Sequence, residues 1–443
     1  MGDGLKLDDF RLHPKRDAVL SEVHARPYTR LTAPLCVLHF AFLNRDDEAT
    51  ADQRRFADFC RARGLPAPDE SAKHHQVSIG SVLLRWEQHS EFATFTWIWN
   101  DSRRARHKAA HQFGEISDEL STMVGSLSQH GQLLVALKLE VEQTSAGAER
   151  AEQLFDRASL AMVPVKSGPA IVASDFRKDE QGFVRILIAN DGLTPGRLGA
   201  LVQRVLEIET YRTLALLGLP AALELAPMVD RIGKRLVEVL QEMQDAQGLK
   251  RNSDLLGELT ALAAALERDA ASSLFRFGAS RAYYEIVQGR LSVIEGGEIE
   301  GFPTWSSFLA RRMAPAMRTC TSMEGRQANL SIKLARAADL LRTRVDVELE
   351  RQNRDLLRSM NERTKLQLRM QSTVEGLSVA AIGYYVVSLF GYIAKGAHDS
   401  GLHVEPSLAT AAFVPVAVGA IWIVIRNIRL RHLKEDSGSH DHA

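Results

Sequence analysis

The stretch GLSVAAIGYYVVSLFGYIAKGAHDSGLHVEPSLATAAFVPVAVGAIWIVI, residues 376–425, decides the architecture. Gly376 to Ala394 carries no formal charge, and neither does Ser407 to Ile425. Each run is about 19 residues long, close to the ~20 that a helix needs to cross a bilayer. The connector, Lys395 to Pro406, is short and polar. The pattern predicts two membrane spans in a hairpin, 376–394 and 407–425, with an outer loop at 395–406. Everything before residue 376 then stays on one side.

The flanks give the sidedness. Arg363, Lys365 and Arg369 precede the first run, and Arg426, Arg429, Arg431 and Lys434 follow the second, whereas the loop holds only Lys395. Lys and Arg accumulate on the cytoplasmic side, so both termini are expected there. The opening MGDGLKLDDF has no apolar h-region and no Ser or Thr at position 6, which predicts neither a secretory signal nor myristoylation. Cys36, Cys60 and Cys320 are far apart, odd in number and form no CxxC. That usage suits a reducing compartment and argues against a disulfide framework or a structural zinc site.

The chain has 443 residues, enough for two or three units. Its 55 basic and 55 acidic residues cancel. No basic field exists to hold nucleic acid, and the basic residues beside the apolar runs fit lipid headgroups instead.

Residues 1–192 read as a cytoplasmic α/β or α+β domain. Pro34 to Leu43 is an apolar strand, Glu48 to Arg63 a helix, and Gln132 to Glu142 a strand. Gln76 to Glu87 and Phe92 to Trp99 are expected as one hairpin, and Pro169 to Ser174 with Phe183 to Ala189 as another. His111 to Leu127 and Glu149 to Arg157 are expected as helices. After Thr194-Pro195 the pattern becomes helical over 193–322. Breaks are expected near Gly248 and residue 272, and a short helix at Trp305 to Arg318. From residue 323 to 375, Leu330, Leu334, Ala338, Leu341, Val345, Leu349, Leu356 and Met360 return at spacings of three, four or seven, predicting a stalk helix. Run into the first span it would be about 70 residues, or on the order of 100 Å. Such a helix needs partners along its length, either earlier helices or copies of itself in a coiled coil. Residues 426–443 read as a basic, then disordered, tail.

Several strings carry a resemblance. They are His13-Pro14, Glu22-Val23-His24-Ala25-Arg26-Pro27, Arg85-Trp86-Glu87-Gln88-His89-Ser90-Glu91-Phe92, Ser174-Asp175-Phe176-Arg177, Glu207-Ile208-Glu209-Thr210-Tyr211-Arg212, Leu341-Arg342-Thr343-Arg344-Val345 and Thr373-Val374-Glu375-Gly376-Leu377-Ser378. Over essentially its whole length the chain is similar to a bacterial family of uncharacterised membrane-anchored proteins. The resemblance implies the inner membrane and no particular activity. The order of elements also looks like that of the CorA magnesium channels, which are oligomers with the first span lining a pore. Where those channels carry Gly-Met-Asn, this chain reads Gly391-Tyr392-Ile393-Ala394. The glycine is kept, and Met and Asn are absent.

Candidate chemistry is sparse. No Walker loop, GxSxG, GxGxxG or HExxH occurs, so no enzyme class is indicated. Glu22, His24 and Arg26 alternate; if extended they share a side and could hold a metal or an anion, or pin an N-terminal arm by ion pairs. Glu87, His89 and Glu91, near His74 and His75, could bind a divalent cation, the one cofactor the sequence suggests, although polar residues at a turn need no such role. Glu207, Glu209, Tyr211 and Arg212 are polar residues on an apolar helix, read as a domain joint in which Glu209 and Arg212 pair. Glu375 stands at the mouth of the first span, as an anchor or a functional carboxylate. Ala380, Tyr384, Ser388 and Gly391 share one face, for helix packing or a pore. Three functions follow: a self-associating, CorA-like membrane protein that passes or senses ions; a binding or scaffold module that the hairpin only tethers to the bilayer; or a metal-dependent enzyme using the His24 or His89 neighbourhood. The protein partner of such a module is not legible.

Overall fold

The computed structural model describes residues 10–16, 19–20, 28–44, 48–70, 72–100, 113–114, 116–127, 131–401 and 405–438. It divides into two units, Met1–Asp245 with Leu255–Ala338, and Ala246–Asp254 with Asp339–Ala443.

The first unit is built on a mixed sheet of eight strands. These are β1 (Leu35–Leu43), β2 (His74–Ile79), β3 (Val82–Gln88), β4 (Phe92–Asn100), β5 (Gln132–Gln143), β6 (Ala161–Pro164), β7 (Ala170–Ser174) and β8 (Val184–Asn190). Their order is β2-β3-β4-β1-β5-β8-β7-β6. Among the described strands only the β5–β8 pair is parallel. The fold is therefore α+β.

The expected strand from Gln76 to Glu87 is two strands. Gly80 sits at φ 58° and turns the chain back between Ile79 and Val82, which face each other in register. A left-handed residue at a two-residue turn is what glycine supplies at low cost. The hairpins β3–β4 and β7–β8 form as expected.

Successive strand residues face opposite sides, and both sides are covered. Leu38 of β1, with Trp86 and Phe95, packs under α1 (Glu48–Ala62) and α2 (Asp118–Ser126), meeting Phe56, Phe59 and Leu120. The first turn of α2 is closed by Ser117, whose Oγ accepts from the Leu120 amide. Helix α3 (Gly147–Leu154) covers Ala173 and Leu187 farther along. On the other side Leu35, Val37 and Ala41 of β1, with Leu137, Leu139, Ile186 and Ile188, form the larger core beneath α4 (Pro195–Leu216). That core also takes the C-terminal residues of α6 (Leu249–Ile294) and the first turns of α7 (Trp305–Asp399). Trp305 is fully buried, and its indole N–H donates to the carbonyl of Ala161. Helix α5 (Gly218–Asp245) lies between α4 and α6 in the chain.

The helical breaks differ from expectation. A break does fall near Gly248, which has φ 87° and lies between α5, ending at Asp245, and α6, starting at Leu249. Residue 272 does not interrupt α6, and Arg318 does not end α7, which runs on through Pro315, Gly325 and Gly376 for 95 residues. An internal proline costs about 3 kcal/mol. Burial of Leu309, Met313, Ala316, Cys320 and Met323 on either side of Pro315 offsets that cost.

In the second unit α7 is followed by α8 (Pro406–Gly438). The two run antiparallel. The Phe390 and Phe413 rings stack at 3.9 Å, a Cβ on Gly391 would lie 3.6 Å from Thr410, and one on Gly383 would lie 3.8 Å from Ile421. Before that pair, α7 exposes Leu356, Met360, Leu366, Met370 and Val374.

Among the described residues three helical stretches are long and apolar enough to cross a membrane, one more than expected: Pro195–Asp245, Trp305–Asp399 and Pro406–Val424. In the first, 28% of the apolar window is buried inside the protein, against 6% in each of the others.

Candidate functional site

On the α4 face of the sheet the apolar pattern is broken by a patch of polar side chains. The register sets His39 of β1 opposite Thr96 of β4, Thr96 opposite Arg85 of β3, and Thr94 opposite Glu87. All five are buried. Helix α4 lays Gln203, Glu207, Thr210 and Tyr211 over them, residues spaced three and four apart and so on one helical face. Together with His89, Phe92 and Leu206 they enclose a cavity of about 30 Å³, room for about one or two waters.

His39 holds the floor. Its Nδ1 is 2.8 Å from the Thr96 hydroxyl and its Nε2 2.9 Å from the Thr210 hydroxyl. Thr210 donates its own proton to the Leu206 carbonyl at 2.9 Å. Its oxygen must therefore accept from His39, which assigns the proton to Nε2 and leaves Nδ1 to accept from Thr96. Burial, and then the charge of Arg85, pushes the imidazole pKa down to about 3. The ring is neutral at physiological pH.

A chain of charges crosses from sheet to helices. Arg85 Nε lies 3.4 Å from Glu87, and its guanidinium donates to Gln203 at 3.3 Å. Gln203 donates to Glu207 at 3.1 Å, and Glu207 meets Arg290 of α6 at 2.5 Å. A second link joins the β3–β4 turn to α6: Glu91 meets Arg276 at 2.6 Å and accepts from the Tyr283 hydroxyl. Burial and this carboxylate raise the Tyr283 pKa. Tyr283 stacks on Tyr211 at 5.4 Å, while His89 lies flat on Phe92 at 4.1 Å. Two polar atoms at the cavity, Thr94 Oγ1 and Arg85 Nε, are buried without a hydrogen-bond partner. Such atoms call for a water or a small polar guest.

The structure thus gathers Glu87, His89, Glu207 and Tyr211 around one cavity, with Glu91 on the adjoining link. Glu209 and Arg212 lie elsewhere, paired through two hydrogen bonds of 2.6 and 2.7 Å, with Arg212 over the Phe176 ring. Glu22, His24 and Arg26 lie outside the described residues. Among the described residues no three His, Cys, Asp or Glu side chains converge as metal ligands. His75 turns instead to the Pro66 carbonyl at 2.8 Å. On the apolar part of α7, Ser388 and Gly391 are half-buried, whereas Ala380, Tyr384 and Glu375 are exposed. Sequence reading missed His39, Arg85, Thr94, Thr96, Gln203 and Thr210. The available signal was a histidine at the fifth position of an otherwise apolar strand, together with threonines two apart in β4.

Fold and site define a mixed-sheet α+β protein with a buried polar joint between sheet and helices, extended by long apolar helices. The chain belongs to the family described as protein of unknown function (DUF3422), whose model matches residues 11–432. That membership lends no support to the CorA likeness. No curated protein matches the chain.

Proposed function

We propose that this chain is a membrane-tethered binding module, with the sheet unit as the binding part and the C-terminal helices as its anchor. One observation carries the reading: the paired apolar stretches of α7 and α8 meet through Gly383, Gly391 and the stacked Phe390 and Phe413 rings, and leave many other large apolar side chains outward. Leu377, Tyr384, Leu389, Tyr392 and Ile393 on α7, and Leu408, Val416 and Trp422 on α8, are all more than half exposed. Water disfavours such a surface, and hydrocarbon accepts it. The third apolar stretch, Pro195–Asp245, has another use, since α4 is packed into the sheet core. Basic flanks favour an inner-membrane hairpin with both ends in the cytoplasm. The exposed apolar residues of α7 before the pair support self-association through that helix.

The test uses the full chain. It should float with membranes and resist extraction by high salt and alkaline carbonate. Release under either treatment would overturn the anchor. Reconstituted in liposomes, it should give no cation flux; a flux would replace the tether reading with an ion-conducting one.

A further inference from the structure

A second cavity lies beside α4, apart from the His39 site. It measures about 600 Å³, within the size range of small-molecule sites. Its wall is formed by Phe176 and Arg177 after β7, Arg212 and Leu216 of α4, Ser159 before β6, and Phe308, Arg311 and Arg312 of α7. Four arginines face one acid, Asp175.

The arginines are not equivalent. Arg212 is held by Glu209 at 2.6 Å, and Arg177 by Asp156 at 2.7 Å. Asp175 is engaged by Arg185 at 3.5 Å. Arg311 meets only the face of Phe308, at 5.9 Å, and among the described residues neither it nor Arg312 has a carboxylate partner. Two guanidiniums are therefore uncompensated at the cavity. The apolar side is pre-built. Phe176 is the one described non-glycine residue with positive φ, 54°, and its ring stacks on Phe308 at 5.2 Å and meets Trp305 edge-on at 4.9 Å.

We infer that this cavity binds a small organic phosphate, a phosphomonoester on an aromatic or other apolar body. A phosphomonoester carries a charge of about −1.5 to −2 at pH 7, which matches two free guanidiniums better than a carboxylate would. Guanidinium forks bind phosphate oxygens in pairs, and the Phe176–Phe308 stack receives the apolar part. The inference does not depend on the membrane reading.

Phenyl phosphate is the probe, titrated calorimetrically into the full chain in detergent. It should bind at least tenfold more tightly than inorganic phosphate, which should compete with it. R311Q/R312Q should weaken it tenfold or more, and R354Q, on an exposed arginine distant in sequence, should not. Phe308→Ala should lower affinity for phenyl phosphate and leave inorganic phosphate unchanged. The side chains of Arg311 and Arg312 are exposed, so that double variant should melt as wild type. Wild-type affinity in R311Q/R312Q would overturn the assignment, as would phenyl phosphate binding no better than inorganic phosphate. A short-chain phosphatidic acid that binds while phenyl phosphate does not would overturn a soluble ligand in favour of a lipid headgroup.

Discussion

His39 and Thr210 lie 171 positions apart and share a buried hydrogen bond of 2.9 Å that ties the central strand β1 to helix α4. Thr210 can accept that proton only because its own goes to Leu206. Thr210→Val would leave the His39 N–H buried and unpaired. An orphaned buried donor costs about 1–3 kcal/mol. The urea midpoint should fall accordingly with an unchanged slope, and an unchanged midpoint would remove the bond from the account of this joint.

The same histidine makes stability depend on pH. Its folded pKa, about 3, lies below the ordinary 6.5. Below pH 6.5 the unfolded chain takes up a proton that the folded chain refuses. Stability is thus lost as pH falls from 6.5 toward 3, by about 1.4 kcal/mol per unit. Between pH 7 and pH 5 the loss should be about 2 kcal/mol. His39→Gln should melt lower at pH 7 but show a flatter profile over that interval. Parallel profiles for variant and wild type would assign the acid sensitivity to other groups.

Gly199 of α4 leaves no room for a Cβ, because the backbone carbonyl of Thr29 occupies that position. Next to it, the Leu31 amide donates to the Pro195 carbonyl at 3.0 Å. Gly199→Ala should push the 28–31 segment off the helix and expose it to protease. Gly233, with open space around it, is the control. Equal proteolysis of Gly199→Ala and Gly233→Ala would show that the close approach is dispensable.

Where α7 meets α8, Gly391 has space for a methyl group and little more, since its Cβ would sit 3.6 Å from Thr410. Gly391→Ala should keep the helices paired, and Gly391→Leu should part them. Disulfide trapping between cysteines placed at Phe390 and Phe413 reports the difference. Efficient trapping in the leucine variant would contradict the packing.

Self-association through α7 predicts that Met360→Glu with Met370→Glu lowers particle mass in detergent without lowering the melting temperature of the sheet unit. Both side chains are more than half exposed in the single chain. A monomeric wild type would exclude the idea directly.

The readable parts of the sequence were those where one element decides its own pattern. Strand β1 is a continuous apolar run, and α7 keeps its periodicity through Gly325 because helical packing tolerates an isolated glycine. The turn at Gly80-Ser81 was missed because apolar residues continue on both sides of it, so periodicity alone does not mark the reversal. The cavity was legible only in fragments. Glu207, Glu209, Tyr211 and Arg212 stand out on an apolar helix, yet helical geometry sends Glu207 and Tyr211 to one cavity and Arg212 to the other. Arg85, Thr94 and His39 become neighbours only through strand register, which no local stretch encodes.

Trp305 has a consequence for the order of events during synthesis. The sheet core is sealed by the first turns of α7, and those turns are translated only after the whole of the sheet and helices α1 to α6. Domains fold as units as the chain emerges, so this one stays unsealed until the first turns of α7 have left the ribosome. A stop codon before residue 305 would release a chain with an open core, prone to aggregation rather than to life as a soluble fragment.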